Sequence, residues 1–200
     1  MAYRGKRGWL VGLAVGLLVG WAVGALLPDT PLHAVATDRT DGFAMATGFV
    51  DDGVEAVYFL DFLTGSLNAA VLSNQTPRFQ ALYGTNVNAD LANMIQARSQ
   101  NLTQTNMQRR KQGLPPLPAI QMPQNPNYLM VTGAVDIRRG ASARVRPAAA
   151  ALYVAETTTG MLLVYLIPWE QTAHQADRPS GGTINLLTAE QVTTAIVQTE

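Results

Sequence analysis

The sequence predicts an α+β fold class, with one N-terminal transmembrane helix followed by a duplicated antiparallel βββα unit that forms a β-rich extracytoplasmic domain. Three observations predict it. An uncharged apolar run extends from Gly8 to Leu27, short β-branched and aromatic segments follow it, and two stretches resemble each other. We expect residues 1–36 to hold a cytoplasmic basic tip, the transmembrane anchor and a tether, and residues 37–200 to form the extracytoplasmic domain.

The N-terminal apolar run has the length of a membrane span. A helix of about 20 residues rises about 30 Å, which is the thickness of the hydrocarbon core of a bilayer. Arg4, Lys6 and Arg7 precede the run, and Pro28 and Asp29 end it. Because positive flanks stay in the cytoplasm, we predict a single-pass protein with a cytoplasmic N-terminus and a C-terminal domain in the periplasm or on the cell surface.

A cleaved signal peptide is the alternative. Ala34, Val35 and Ala36 before Thr37 fit the small-x-small cleavage pattern. The apolar run is longer than the usual signal-peptide core of about 7–15 residues, which favours a retained anchor. Both interpretations deliver the domain to the same side of the membrane.

Glycines recur at every fourth position of the apolar run and form one stripe along the predicted helix. A stripe without side chains lets two helix backbones approach closely in lipid. We therefore predict that the membrane helix self-associates, in a homo-oligomer or a larger envelope assembly. The predicted contact residues are Gly8, Gly12, Gly16, Gly20 and Gly24.

The composition excludes some classes of chemistry. The formal net charge is 0, so no global field attracts nucleic acid. The chain has 0 cysteines, which excludes disulfides, thiolate catalysis and cysteine-bound metals. Charged residues make up 14%, against about 25% in an average soluble protein. Either part of the surface is covered by something else, or the surface is simply neutral.

Internal repetition is the clearest pattern after the apolar run. Residues 43–51 match residues 128–136 in an aromatic residue, Met, Thr-Gly and Val-Asp. Residues 57–67 match residues 152–162 in Tyr, an acidic residue, Thr-Gly and Leu. We therefore predict two repeats, residues 43–111 and 128–200.

Each repeat is predicted to contain three strands. Thr-Gly makes a tight turn between the second and third strands, because glycine accepts positive φ. Asp61 and Glu156 at equivalent turn positions should accept hydrogen bonds from their own hairpins. The predicted strands lie near 43–50, 54–62 and 66–72, and near 128–137, 150–157 and 161–167.

A helix is predicted after each set of strands. Asn88 or Asp90 can cap the first helix, whose apolar face is Leu91, Met94, Ile95 and Leu102. A Thr-x-x-Gln capping box at residues 188–191 predicts the second. Residues 112–127 contain five prolines, which predicts an extended connector between the repeats.

The strand–acid–x–x–Thr–Gly–strand unit resembles hairpins of β-propeller blades, particularly quinoprotein-like repeats. The resemblance implies propeller-like hairpins, although two units are fewer than the four to eight blades of a closed propeller. The overall plan is also similar to uncharacterised bacterial membrane-anchored proteins, which imply no activity. The matching residues are Tyr58, Asp61, Thr64 and Gly65, and Tyr153, Glu156, Thr159 and Gly160.

The sequence contains no recognisable catalytic set. The two histidines, His33 and His174, have no metal-ligand spacing, and no GxSxG, GxxxxGK[ST] or GxGxxG motif is present. We predict no enzymatic activity, no cofactor and no metal. The densest basic group of the domain is a candidate for contact with an acidic partner, or else a solvated hairpin tip: Arg138, Arg139, Arg144 and Arg146.

These observations predict a membrane-anchored cell-envelope protein with a structural, assembly or protein-binding role. Its expected partners are the membrane and further copies of itself, and nucleic acid is not expected. The alternative is an extracytoplasmic small-ligand binding or sensing module, with a pocket between the two repeats.

Overall fold

The computed structural model describes residues 12–18, 37–137 and 145–192. The chain divides into two units, Met1–Ala34 and Val35–Glu200. In the first unit, residues 12–18 form a short exposed helix, α1. All other described elements belong to the second unit.

A six-stranded sheet is the larger β layer of the second unit, with strand order β1-β2-β3-β4-β5-β11. Neighbouring strands are antiparallel except β5 and β11, which are parallel. The sheet is thus completed by a strand from far along the chain. The strands are β1 (Thr37–Arg39), β2 (Phe43–Asp51), β3 (Val54–Asp61), β4 (Ser66–Leu72), β5 (Phe79–Asn86) and β11 (Ser180–Thr183).

A four-stranded antiparallel sheet is the second layer, with strand order β12-β9-β8-β6. A two-stranded ribbon pairs β10 with β7. The strands are β6 (Tyr128–Ala134), β7 (Arg146–Pro147), β8 (Ala150–Glu156), β9 (Met161–Leu166), β10 (Pro168–Trp169) and β12 (Asn185–Gln191).

The core lies between the two larger sheets. Strands β2 and β6 approach closely, because three of the four inward residues of β2 are small: Ala44, Ala46 and Gly48, with Val50 as the fourth. A Cβ at Gly48 would lie 2.8 Å from the Thr132 side chain, so glycine is required there. The Thr132 hydroxyl donates a hydrogen bond to the carbonyl of Thr47, which joins the sheets.

One long helix, α2 (Val87–Lys111), follows β5. Asn86 caps it by accepting a hydrogen bond from the amide of Ala89 at 2.9 Å. The predicted helix is confirmed, but its cap is Asn86 rather than Asn88 or Asp90. Val87, Leu91 and Ile95 are buried, and the C-terminal half is largely exposed. A short helix, α3 (Gln171–Gln175), lies between β10 and β11.

The predicted fold class is wrong. Five strands, not three, precede α2, because β1 and β5 were not anticipated. Residues 188–191, the capping box predicted for the second helix, belong instead to β12, where pairing with β9 outweighs the local capping signal. Residues 193–200, into which that helix was expected to run, lie outside the described residues. Within the described residues, no helix is both long and apolar enough to cross a membrane. Most of the predicted span, residues 8–27, lies outside the described residues.

The two Thr-Gly turns lie in hairpins of the same local geometry. Gly65 (φ +70°) ends the β3–β4 turn and Gly160 (φ +69°) ends the β8–β9 turn. The matching tyrosines of the two repeats nevertheless differ in environment, because Tyr58 is buried and Tyr153 is only half-buried. Equivalent positions of the two hairpins thus face opposite sides of their sheets.

Candidate functional site

A groove of about 670 Å³ lies between α2, the proline-rich connector and the β8–β9 hairpin. Leu102, Leu117 and Ile120 supply its apolar wall, and Arg98, Thr158 and Gln191 supply polar groups. This volume falls within the range of about 300–1,000 Å³ that is typical of small-ligand pockets. The groove therefore has both the size and the mixed lining of a binding site.

The connector is fixed to the C-terminal half of α2 by side-chain hydrogen bonds. Asn106 contacts both backbone groups of Leu117, accepting from its amide at 2.7 Å and donating to its carbonyl at 3.1 Å. Arg109 donates from Nε to the carbonyl of Pro115 at 2.8 Å. Prolines lack the amide donors that a regular strand uses for backbone hydrogen bonds. The side chains of Asn106 and Arg109 therefore fix the connector, which forms one wall of the groove.

The hairpin wall of the groove is organised by a buried carboxylate. Glu156 is 0% exposed and accepts hydrogen bonds from the Thr159 amide (2.6 Å), the Thr159 hydroxyl (2.7 Å) and the amides of Thr158 and Asn127. Burial alone raises its pKa, but these donors outweigh burial and the net pKa lies below the ordinary value. The predicted turn role of Glu156 is confirmed, and Asp61 likewise accepts from the amides of Leu63 and Thr64.

Two buried tyrosines join α2 to the four-stranded sheet. Tyr128 donates to the side-chain oxygen of Asn88, and Tyr165 donates to Asp90 Oδ2 at 3.0 Å. Burial raises the pKa of both hydroxyls, and the Asp90 carboxylate raises that of Tyr165 further. Asn88 and Asp90, predicted as caps, therefore anchor the first turn of the helix to the second layer.

A second polar cluster surrounds His174, which α3 places in the interior at 6% exposure. Nδ1 faces the side-chain oxygen of Gln80, and Nε2 lies 3.0 Å from Asn74 Oδ1. Gln80 also donates to the carbonyl of His174 at 3.2 Å, which orients its amide. The cluster ties α3 to β5 and to the loop after β4.

The cavity beside His174 is small, about 200 Å³, and Asp51 and Asp52 line it. Asp51 accepts a hydrogen bond from Trp169 Nε1 at 3.0 Å. In the described ranges, no three His, Cys, Asp or Glu side chains are placed to hold a metal ion. The contacts of His174 are amides rather than acids, which fits a role in holding the structure together.

The outer face of the six-stranded sheet is apolar at its centre. Strand register places Met45 beside Phe59, Val57 beside Ala70, and Leu72 beside Phe79. The Phe43 and Phe59 rings stack with centroids 5.1 Å apart. We define the apolar face as seven residues that are 37–64% exposed: Phe43, Met45, Val57, Phe59, Leu72, Phe79 and Leu82.

The sequence-predicted site residues lie elsewhere. Of the glycine stripe, Gly12 and Gly16 lie in α1, and a Cβ at either position would meet nothing within 4 Å; Gly8, Gly20 and Gly24 lie outside the described residues. Of the arginine group, Arg146 lies in β7, paired with Trp169. Arg138, Arg139 and Arg144 lie outside the described residues. Self-association through the stripe and partner contact through the arginines stay predictions.

Sequence reasoning missed the groove and the His174 cluster. A proline-rich segment directly after a long helix was a usable signal, because it cannot continue the helix and must leave the helix axis. The cluster offered none, since its members are separated by 94–100 residues in the chain. Comparison with known proteins gives no help, because no family model, no curated protein and no solved structure significantly matches this chain.

Proposed function

We propose that this protein is a non-catalytic assembly protein that pairs with a second copy of itself through the apolar face of the six-stranded sheet. The observation that carries the proposal is the distribution of side-chain size in β2. Its small residues point into the core, while Phe43 and Met45 point to solvent. Large apolar side chains on an outer face have no role in the core of one copy.

The size of the face suits an interface between two copies. Four strands spaced about 4.8 Å apart and about seven residues rising about 3.3 Å each give a footprint on the order of 440 Å². Including β1 (3 residues) and β11 (4 residues) enlarges it to roughly 550 Å². Side-chain relief raises the accessible area above this flat footprint, towards the roughly 800 Å² per partner of a standard interface.

The arrangement of polar groups also suits pairing. Met45, Val57 and Phe59 at the centre of the face are uncharged, whereas the charged groups lie at its margins: Asp38 pairs with Met45 from the edge strand, and Glu55 and Asp61 lie near the two ends of β3. Stable interfaces share this plan of an apolar centre and a polar rim. The formal net charge of the chain is 0, so two copies do not repel each other over long range. Two such faces can pack as sheets about 10 Å apart.

Single cysteines provide a direct test, because the chain has 0 cysteines of its own. Val57→Cys places one thiol at the centre of the apolar face. Val131→Cys is the matched control on the outer face of the four-stranded sheet, where Val131 is 50% exposed against 37% for Val57. With a mild oxidant in the native cell, we expect Val57→Cys to form a disulfide-linked dimer and Val131→Cys to stay a monomer.

Two outcomes contradict the proposal: no crosslink from Val57→Cys, or equal crosslinking from both variants. A second pair of variants measures the contribution of the apolar side chains. Val57→Thr with Phe59→Thr should convert the full chain from dimer to monomer in analytical ultracentrifugation. Leu129→Thr with Val131→Thr should leave the dimer intact. Location in the cell envelope and attachment to a membrane stay predictions.

A further inference from the structure

We infer that the groove between α2, the connector and the β8–β9 hairpin binds a medium-chain carboxylate, a molecule with one anionic head and an unbranched apolar body. The inference is independent of self-pairing, because the groove shares no residue with the apolar face. It rests on the lining of the groove, on the cation Arg98, and on the weak contact that this cation makes.

The lining separates apolar from polar groups. Leu102 on α2 and Leu117 and Ile120 on the connector supply the apolar wall. Thr158 and Gln191 supply polar groups from the hairpin and from the end of β12. A ligand with an apolar body and one polar head satisfies both kinds of wall, whereas a wholly polar ligand would leave the leucines uncovered.

Arg98 is the only cation among the groove residues that the structure describes. A guanidinium presents a planar fork of donors that matches a carboxylate with two parallel hydrogen bonds. One positive charge at an otherwise neutral groove selects for a single negative charge. The chemistry of Arg98 therefore identifies the head group, and the leucines identify the body.

Arg98 makes a long and exposed ion pair beside the groove. Its Nη1 lies 3.5 Å from Glu190 Oε2, and the two side chains are 42% and 72% exposed. Exposed pairs of this kind contribute little to stability, so a ligand carboxylate can take the place of Glu190. Glu190 then competes with the ligand for Arg98. Removing the charge of Glu190 should therefore strengthen ligand binding.

The walls of the groove are held in place before binding. Asn106 and Arg109 fasten the connector to α2, and Gln191 donates to the carbonyl of Thr159 at 3.0 Å. The Glu156 carboxylate below fixes the hairpin turn. A groove that is already shaped loses less freedom when a ligand binds, which favours affinity.

The test is isothermal titration of the full chain with octanoate. We expect saturable binding, weakened at least tenfold in Arg98→Gln and strengthened severalfold in Glu190→Gln. Arg110→Gln is the matched control, because Arg110 is an exposed cation on the same helix outside the groove, and it should bind like wild type. Leu102→Gln, which keeps a good helix former, should weaken binding severalfold.

The head group is tested with two further probes of the same chain length. Octan-1-ol and octylamine should each bind at least tenfold more weakly than octanoate. Thermal unfolding of every variant shows whether the fold is kept. The inference is overturned if octanoate does not bind the wild type, if Arg98→Gln binds it equally well, or if octan-1-ol matches it.

Discussion

Replacing Tyr58 by Phe is expected to stabilise the protein. Tyr58 lies in β3 at 1% exposure, and in the described part of the chain its hydroxyl is the buried side-chain polar atom without a hydrogen-bond partner. Burial also raises the pKa of this hydroxyl, so it stays neutral at all ordinary pH values. A buried polar group without a partner destabilises a fold by about 1–3 kcal/mol, because its hydration is lost without replacement.

The expected gain lies at the low end of that range. Phe leaves the small volume of the oxygen unfilled, which offsets part of the benefit, so we expect about 1 kcal/mol. For a domain of this size, that corresponds to a rise of about 2–4 °C in Tm. Urea unfolding of the full chain at pH 7, followed by circular dichroism, measures the change.

Tyr165→Phe is the matched control, because Tyr165 is also buried but donates to Asp90 at 3.0 Å. Losing a hydrogen bond to a charged group should destabilise the fold by about 1.5–3 kcal/mol. Both variants remove a tyrosine hydroxyl oxygen, but the expected changes in the free energy of unfolding have opposite signs. A Tyr58→Phe variant that is less stable than wild type would mean that the hydroxyl has a partner and that the reasoning is wrong.

Three further predictions concern the hairpins and the connector. Because the pKa of Glu156 is lowered on folding, its contribution is present above about pH 4.5 and is lost as the pH falls through the folded-state pKa. Wild type should therefore lose more stability than Glu156→Gln between pH 7 and pH 3 in urea titrations, and parallel losses would contradict this. Gly65→Ala should destabilise by more than about 2 kcal/mol, since its new Cβ would lie 2.5 Å from a helix side chain at positive φ. Gly113→Ala, also at positive φ but with nothing within 4 Å, should lose only about 1 kcal/mol; equal losses would show that contact is irrelevant. Asn106→Ala should raise amide hydrogen exchange in the connector while leaving exchange in β8 unchanged, and unchanged connector exchange would show that this clamp is dispensable.

The sequence predicted the hairpins of the domain but not which of their faces is buried. Alternating apolar residues and a Thr-Gly turn specify a hairpin locally, and the β3–β4 and β8–β9 hairpins form where they were expected. In β3 both faces are apolar, with Tyr58 on one and Val57 and Phe59 on the other. A strand that is apolar on both faces does not reveal its inward side from its own residues.

The packing of β6 against β2 determines which face of the six-stranded sheet is buried. In β2, Ala44, Ala46 and Gly48 allow the close approach of β6, so the small residues point inward. The size of the apolar side chains was therefore a misleading guide to which face of β2 is buried. Only the contact between the two sheets shows which face points inward. The capping box predicted at residues 188–191 is wrong for the same reason, because the capping pattern is local whereas the pairing of these residues with β9 is not.

The groove could be anticipated only in outline. The sequence suggested, as an alternative, a pocket between the two repeats. The groove is not formed by the symmetry of the repeats. Its walls come from a helix, a connector and a hairpin that share no sequence pattern. What brings them together is the side-chain clamp of Asn106 and the buried Glu156, and neither residue is distinctive when read along the chain.

The parallel pairing of β11 with β5 has a consequence for biosynthesis. Thr183 pairs with Gly84, so the six-stranded sheet lacks its last strand until the ribosome has added about 100 further residues. Until then β5 is an unpaired edge, which can recruit strands from other nascent chains. The strand that finally covers it, Ser-Gly-Gly-Thr, has few side chains to hold it and should detach first under strain. We therefore expect slow translation through residues 87–179 to prolong the exposure of the β5 edge and to increase aggregation of the nascent chain.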